Sequence, residues 1–140
     1  MWRELITSAY PDYTLYNPIR AQEIYFVQRA LDVEFPAVLT ALLQELNGGR
    51  DSDGQCVLWD IARIEKGNQE LRQSTAHMPV HHLLFFAEDA SRNLYAFPII
   101  KKAVKQDRVY VWRRDDDSRI CVASTLAEFL QQWLTGNVVV

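Results

Sequence analysis

Residues 21–49, AQEIYFVQRALDVEFPAVLTALLQELNGG, constrain the fold most, because apolar residues recur there twice at helical spacing and then stop on glycine. In the first half Ile24, Val27 and Leu31 fall at i, i+3 and i+7, with Ala30 beside them, which makes one face of a 3.6-residue helix. Asn17-Pro18 supplies a start for it, since Asn caps and Pro suits the first helical position. Tyr25 and Phe26 flank the stripe, where half burial is expected. Pro36 opens a second helix in which Leu39, Leu42, Leu43 and Leu46 form a core stripe. Asn47-Gly48-Gly49 closes it, glycine being free to take the left-handed conformation that satisfies the last carbonyls. Two such helices need an apolar layer to fold against, and the rest of the chain has to provide it.

At 140 residues the chain is expected to be a single domain over 1–140, able to bury roughly 70% of its unfolded surface. Residues 1–19 read as an extension packed on the core. Residues 2–9 suggest a short helical turn stopped by Tyr10-Pro11-Asp12. Residues 10–17 carry three tyrosines among turn formers, either a strap over the core or an interface. Residues 50–54 are a polar loop and 55–59 a short strand. Asp60 then caps a helix through Ile61, Ile64 and Leu71 that Gly67-Asn68 should weaken.

A loop over 73–82 leads to the apolar run 83–86, a central strand covered on both faces. After an acidic turn, residues 94–97 form a strand that Pro98 ends or places at an edge. Residues 101–107 look like a polar connection. In 108–114, Val109 and Val111 face one way, Tyr110 and Trp112 the other. Residues 115–118 turn the chain into a last strand over 120–123. Thr125-Leu126-Ala127-Glu128 is a capping box for a helix whose buried face is Leu126, Phe129, Leu130, Trp133 and Leu134. Short turns between strands favour an antiparallel or mixed sheet of about four to six strands, with helices grouped against it: an α+β fold.

Several function classes lose ground on composition. The formal net charge of −3 lacks the basic excess that neutralises phosphates, so neither a nucleic acid nor a membrane is expected as partner. No apolar run reaches signal-peptide length or the roughly 18 residues of a membrane span, and a cytoplasmic protein is expected. Cys56 and Cys121 read as buried, reduced thiols. His77, His81 and His82 lie in a loop with Met78-Pro79 between them, without an HExxH pattern, and read as solvent-exposed. Asp51-Ser52-Asp53-Gly54 begins like a calcium loop. Its later ligand positions, however, fall on Val57, Trp59 and Ala62, and the terminal Glu is missing. No G-x-S-x-G or Walker-type loop occurs, and Gly48-Gly49 ends a helix, offering carbonyls where a phosphate needs N–H groups. No cofactor, metal or catalytic residue is therefore assigned. A hydrolase working through His81 or His82 would require a pocket with both rings turned inward.

The acidic residues are more suggestive because they sit in turns: Asp51 and Asp53, Glu88 and Asp89, and Asp115 to Asp117. If those turns meet at one end of the sheet they form a negative rim, with Trp59, Tyr95 or Trp112 nearby. Aromatic anchors beside charges are what a protein-binding patch needs, area for affinity and charge for steering. Convergence depends on strand register, and Asp is in any case favoured in turns. The candidate partner-binding residues are Asp51, Asp53, Trp59, Glu88, Asp89, Trp112, Asp115 and Asp116. The basic clusters, Lys101-Lys102 with Lys105 and Arg113-Arg114, read as solvated faces.

Taken in order, these segments resemble the SUKH superfamily, which includes the yeast cell-wall-assembly regulator and many bacterial toxin-immunity proteins. Its leading motif is matched by Ile24, Leu31, Phe35-Pro36, Leu42-Leu43 and Asn47-Gly48-Gly49. Leu58-Trp59-Asp60-Ile61 leading to Asn68 resembles its strand-to-helix segment. Residues 83–89 followed by Asn93-Leu94-Tyr95 resemble its strand, acidic turn and strand. Residues 109–112 and 123–130 match the closing strand and capped helix. The likeness spans about residues 20–136. It departs at Gln28, where an acidic residue is frequent, at Asp32, where glycine is frequent, and in the acidic turn, where Ala87 and Arg92 replace glycines. The resemblance implies a SUKH-like fold and a non-enzymatic binding module. Most often that is a bacterial immunity protein neutralising a toxin encoded nearby, frequently a nuclease. The alternative is an intracellular regulatory or scaffold domain with a non-toxin protein partner.

Overall fold

The computed structural model of the chain describes residues 1–138. Helix α1 (Trp2–Ala9) is eight residues long, more than the brief turn expected, because Trp2 and Ile6 are buried. Strand β1 (Thr14–Leu15) follows within the tyrosine segment. Tyr13 resolves that segment as a strap: it is 5% exposed, its hydroxyl donates to the Cys56 carbonyl at 2.9 Å and accepts from the Leu58 N–H at 3.2 Å. Tyr16 is the one left exposed.

Helix α2 (Ala21–Leu31) buries Ile24, Val27 and Leu31, as the stripe requires. It starts after Arg20 rather than at Asn17-Pro18, because the Glu23 carboxylate closes the first turn by accepting from the Arg20 N–H at 3.1 Å. Tyr25 and Phe26 are 50% and 60% exposed, so neither joins the core. Helix α3 (Ala37–Glu45) buries Leu39, Leu42 and Leu43. Gly48 then takes φ +78°, and a Cβ there would lie 2.6 Å from the Leu58 carbonyl oxygen. Asn47 ties this stop to the next helix by accepting from the Ile61 N–H at 2.8 Å.

Strands β2 (Gly49–Arg50) and β3 (Val57–Leu58) precede helix α4 (Ile61–Gln73). After it come β4 (Leu83–Glu88), β5 (Leu94–Ile100), β6 (Ala103–Val104), β7 (Val109–Arg113), β8 (Ser118–Ala123) and helix α5 (Leu126–Leu134). All strand pairs are antiparallel, in the order β1-β2-β3-β4-β5-β7-β8, with β6 on β5. The fold is α+β, but the described residues form eight strands where four to six were expected. The extra three, β1, β2 and β6, have two residues each, too few to carry a period of two. Strand β5 also runs through Pro98. Its neighbour Ile99 donates to His82 on the β4 side, which turns the proline nitrogen toward the side where the β7 ladder has already stopped at Ala96.

One sheet face packs on α5, where Phe86, Phe97, Tyr95, Phe129 and Trp133 form a chain of ring contacts. A bulge in β4 between Phe85 and Ala87 sets Ala87, opposite Tyr95, on that face beside Phe86. The opposite face meets α4. Far from weakening that helix, Gly67 and Asn68 join it to the sheet. A Cβ on Gly67 would come within 2.8 Å of the Trp59 ring. The Asn68 amide accepts from the Phe85 N–H and donates to the Phe85 carbonyl, both at 2.9 Å, supplying the edge of β4 that β3 is too short to cover.

Candidate functional site

Strand register decides whether the acidic turns meet. Successive partners run Arg50, Val57, Glu88, Leu94, Trp112 and Arg119 across six strands. Every residue in that row adjoins one of three turns, β2–β3, β4–β5 and β7–β8. All three therefore lie at the same end of the sheet, along a rim about 24 Å wide at roughly 4.8 Å per strand spacing.

The candidate residues have different employments there. Asp51 is 4% exposed, and its carboxylate accepts from the Cys56 N–H at 3.2 Å, so it builds the β2–β3 loop from within. Asp89 does the same for the β4–β5 turn: it accepts from the Ser91 and Asn93 N–H groups, the Asn93 amide and the Tyr95 hydroxyl at 2.9–3.1 Å. Burial, with the Asp89 charge beside it, pushes the Tyr95 hydroxyl well above its ordinary pKa. Asp53, Asp115 and Asp116 face solvent. Glu88 is half-buried and accepts from the Trp59 indole N–H at 2.8 Å.

Neither tryptophan offers an open ring face. Trp59 and Trp112 are 3% and 2% exposed, and a guanidinium lies over each: Arg63 over Trp59 at 4.9 Å, Arg114 over Trp112 at 5.4 Å. The Trp112 indole donates to Asp117 at 2.6 Å. That bond, with the Met78 N–H and Arg119, holds the Asp117 carboxyl below the usual carboxylate range. Burial and the neighbouring Arg92 charge weaken the hold of Arg114 on its proton, while Glu88 acts the other way.

The rim is therefore mixed in sign and not uniformly negative: Arg50, Arg92, Arg113 and Arg114 share the turns with the carboxylates. Arg63, Arg92, Arg114 and Asp117 were absent from the sequence candidates. Three had a local signal, Asp117 as the last of the acidic run 115–117. Arg114 stands two residues after Trp112, on the same strand face, and Arg63 three residues after the Asp60 cap on the first turn of α4. Arg92 had none, its place being fixed by the turn.

Two further expectations need correcting. Cys56 is buried, and burial together with Asp51 pushes its thiol up to about 12, but Cys121 on the outer strand β8 is exposed. His81 and His82 are exposed, whereas His77 is half-buried with its ring 4.7 Å from that of Trp112. Among the described residues no group of three or more His, Cys, Asp or Glu is placed to hold a metal ion, and no helix is long and apolar enough to cross a membrane.

The departures from the SUKH pattern have structural counterparts. Asp32 and Arg92, at positions where glycine is frequent or usual, adopt φ +54° and +67°, so the glycine-like backbone is kept without glycine. Gln28 accepts from the Phe35 N–H at 2.6 Å, a role that needs only an acceptor oxygen and that a carboxylate would also fill. Among curated proteins none matches the chain. The model of the SMI1 / KNR4 family (SUKH-1) matches residues 18–132, from the approach to α2 well into α5, and the chain belongs to that family.

Proposed function

We propose that this chain is a non-enzymatic protein-binding module, acting in the cytoplasm as a bacterial immunity protein that occludes a cognate toxin encoded nearby. The observation that carries it is the meeting of three hairpin turns at one end of the sheet, presenting Asp53, Asp115 and Asp116 beside two arginine-covered tryptophans. Membership of the family supports a binding role. Asp51, Asp89, Trp59 and Trp112 serve the surface by holding its shape, and the exposed carboxylates and arginines make the contact. Because the turns carry both signs, the contact is a mixed-charge one and not an imitation of a phosphate chain.

Co-purification with the product of the adjacent gene, at low and high salt, tests this. A complex that weakens with salt, and restored growth when toxin and this chain are expressed together, are the expected results. If no complex forms and growth is not rescued, the immunity role is wrong. A stable, different partner recovered from unstressed cells would point to a regulatory or scaffold domain instead.

A further inference from the structure

Three guanidinium groups share the rim with one central carboxylate. Arg63 and Arg114 lie over the rings of Trp59 and Trp112, and Arg92 sits in the β4–β5 turn. All three residues are exposed. Glu88 is the anion among them, but its Oε1 is already taken by the Trp59 N–H at 2.8 Å, and Arg63 approaches it only to 3.9 Å. Among the described residues none of the three guanidinium groups donates a side-chain hydrogen bond. Register brings them together: Glu88, which Arg63 approaches, pairs with Leu94, Leu94 pairs with Trp112 beneath Arg114, and Arg92 lies in the turn that joins Glu88 to Leu94. The three positive charges thus outnumber the carboxylates of Glu88 and Asp89 between them, two of the three rest against indoles, and their forks of donors are unused.

We propose that Arg63, Arg92 and Arg114 form the seat for a carboxylate side chain of the protein partner, an inference that rests on the rim being the binding surface. A guanidinium grips a carboxylate through two parallel bonds, and stacking on an indole removes part of the ordering cost. A phosphate chain would satisfy the arginines equally well, but it would also have to run past the exposed Asp53, Asp115 and Asp116. A protein that presents one acidic side chain among basic ones meets both signs of the rim.

The test uses NMR on the whole chain with two probes, a short lysine-rich peptide carrying one central glutamate and an oligothymidylate of equal length. The peptide is expected to shift the Nε–H signals of the three arginines and the indole signals of Trp59 and Trp112. The double variant Arg92→Gln/Arg114→Gln, which leaves the Trp59–Glu88 bond alone, should weaken peptide binding by about tenfold or more, with its melting temperature checked against the parent. Absence of shifts, tighter binding of the oligothymidylate, or an unaffected double variant overturns the proposal. The adjacent-gene product separates the two ideas. If it binds parent and double variant alike, the carboxylate seat is wrong and the immunity role stands. If it binds neither while the peptide still docks on the arginines, the immunity role falls and the seat stands.

Discussion

Replacing Asn68 with alanine sets two physical accounts against each other by sign. Asn68 lies mid-helix in α4, where asparagine is a poor helix former, and on propensity alone Asn68→Ala should stabilise by about 0.5 kcal/mol. The structure demands the opposite. Asn68 is 1% exposed, and its amide satisfies both the N–H and the carbonyl of Phe85, itself 1% exposed. Alanine leaves both groups unpaired in the interior at about 1–3 kcal/mol each, so the net loss should be about 2–5 kcal/mol after the propensity gain. The Ile64 carbonyl, which also accepts from Asn68, keeps its helical partner and adds little. Urea unfolding followed by far-UV circular dichroism measures this directly, the shift being read from the midpoint at unchanged m. A variant as stable as the parent, or more so, would show that the edge of β4 has no need of the amide.

Gly67→Ala poses a similar contest. Helix propensity predicts a gain of about 1 kcal/mol, whereas the clash with Trp59 at 2.8 Å predicts a loss of about 1–3 kcal/mol. A fall in melting temperature with altered tryptophan fluorescence is expected. Lys101 and Lys102 occupy φ +52° and +69° at the β5–β6 hairpin, so Lys101→Asn with Lys102→Gly should stabilise by about 1–2 kcal/mol in thermal melting, since the exposed Lys102–Asp32 pair is worth little. Asp117 has its folded pKa depressed by Trp112, Met78 and Arg119. Its contribution is complete above the ordinary aspartate pKa and is lost as pH falls through the lower folded value. Asp117→Asn should therefore flatten the acid limb of a plot of stability against pH, as measured by urea unfolding, and an unchanged limb would refute the assignment.

What could be read from the sequence was what repeats locally. The stripes of α2, α3 and α5 were legible because each is an uninterrupted helical period, and so was β7, whose alternation is clean. Strands β1, β2 and β6 were not, since each exists only through a partner distant in the chain, as when Leu15 meets Gly49. The eight candidate residues were chosen for charge and aromaticity, and all fall on the three-turn rim or just beneath it. Their duties were illegible for the same reason as the short strands. That Asp51 turns inward to Cys56, or that Arg114 lies on Trp112, depends on backbone positions set by register, and no local pattern encodes register across six strands. The sign of the rim was misjudged because arginines seen singly along the chain became neighbours only once the strands were paired.

The β4 bulge has a consequence for how such a surface can change. With Phe86 inserted, both Phe86 and Ala87 fall on the α5 side, and Glu88 comes out beside Trp59 and Arg63. Straighten the strand while keeping every residue and plain alternation would set Glu88 on the same side as Leu84 and Phe86, driving it into the aromatic layer under α5. The bulge acts as a phase marker: one uncounted residue determines which side chains of β4 are insulated and which can be addressed from outside. Moving that marker along the strand would rewrite the rim while leaving the composition of the chain untouched.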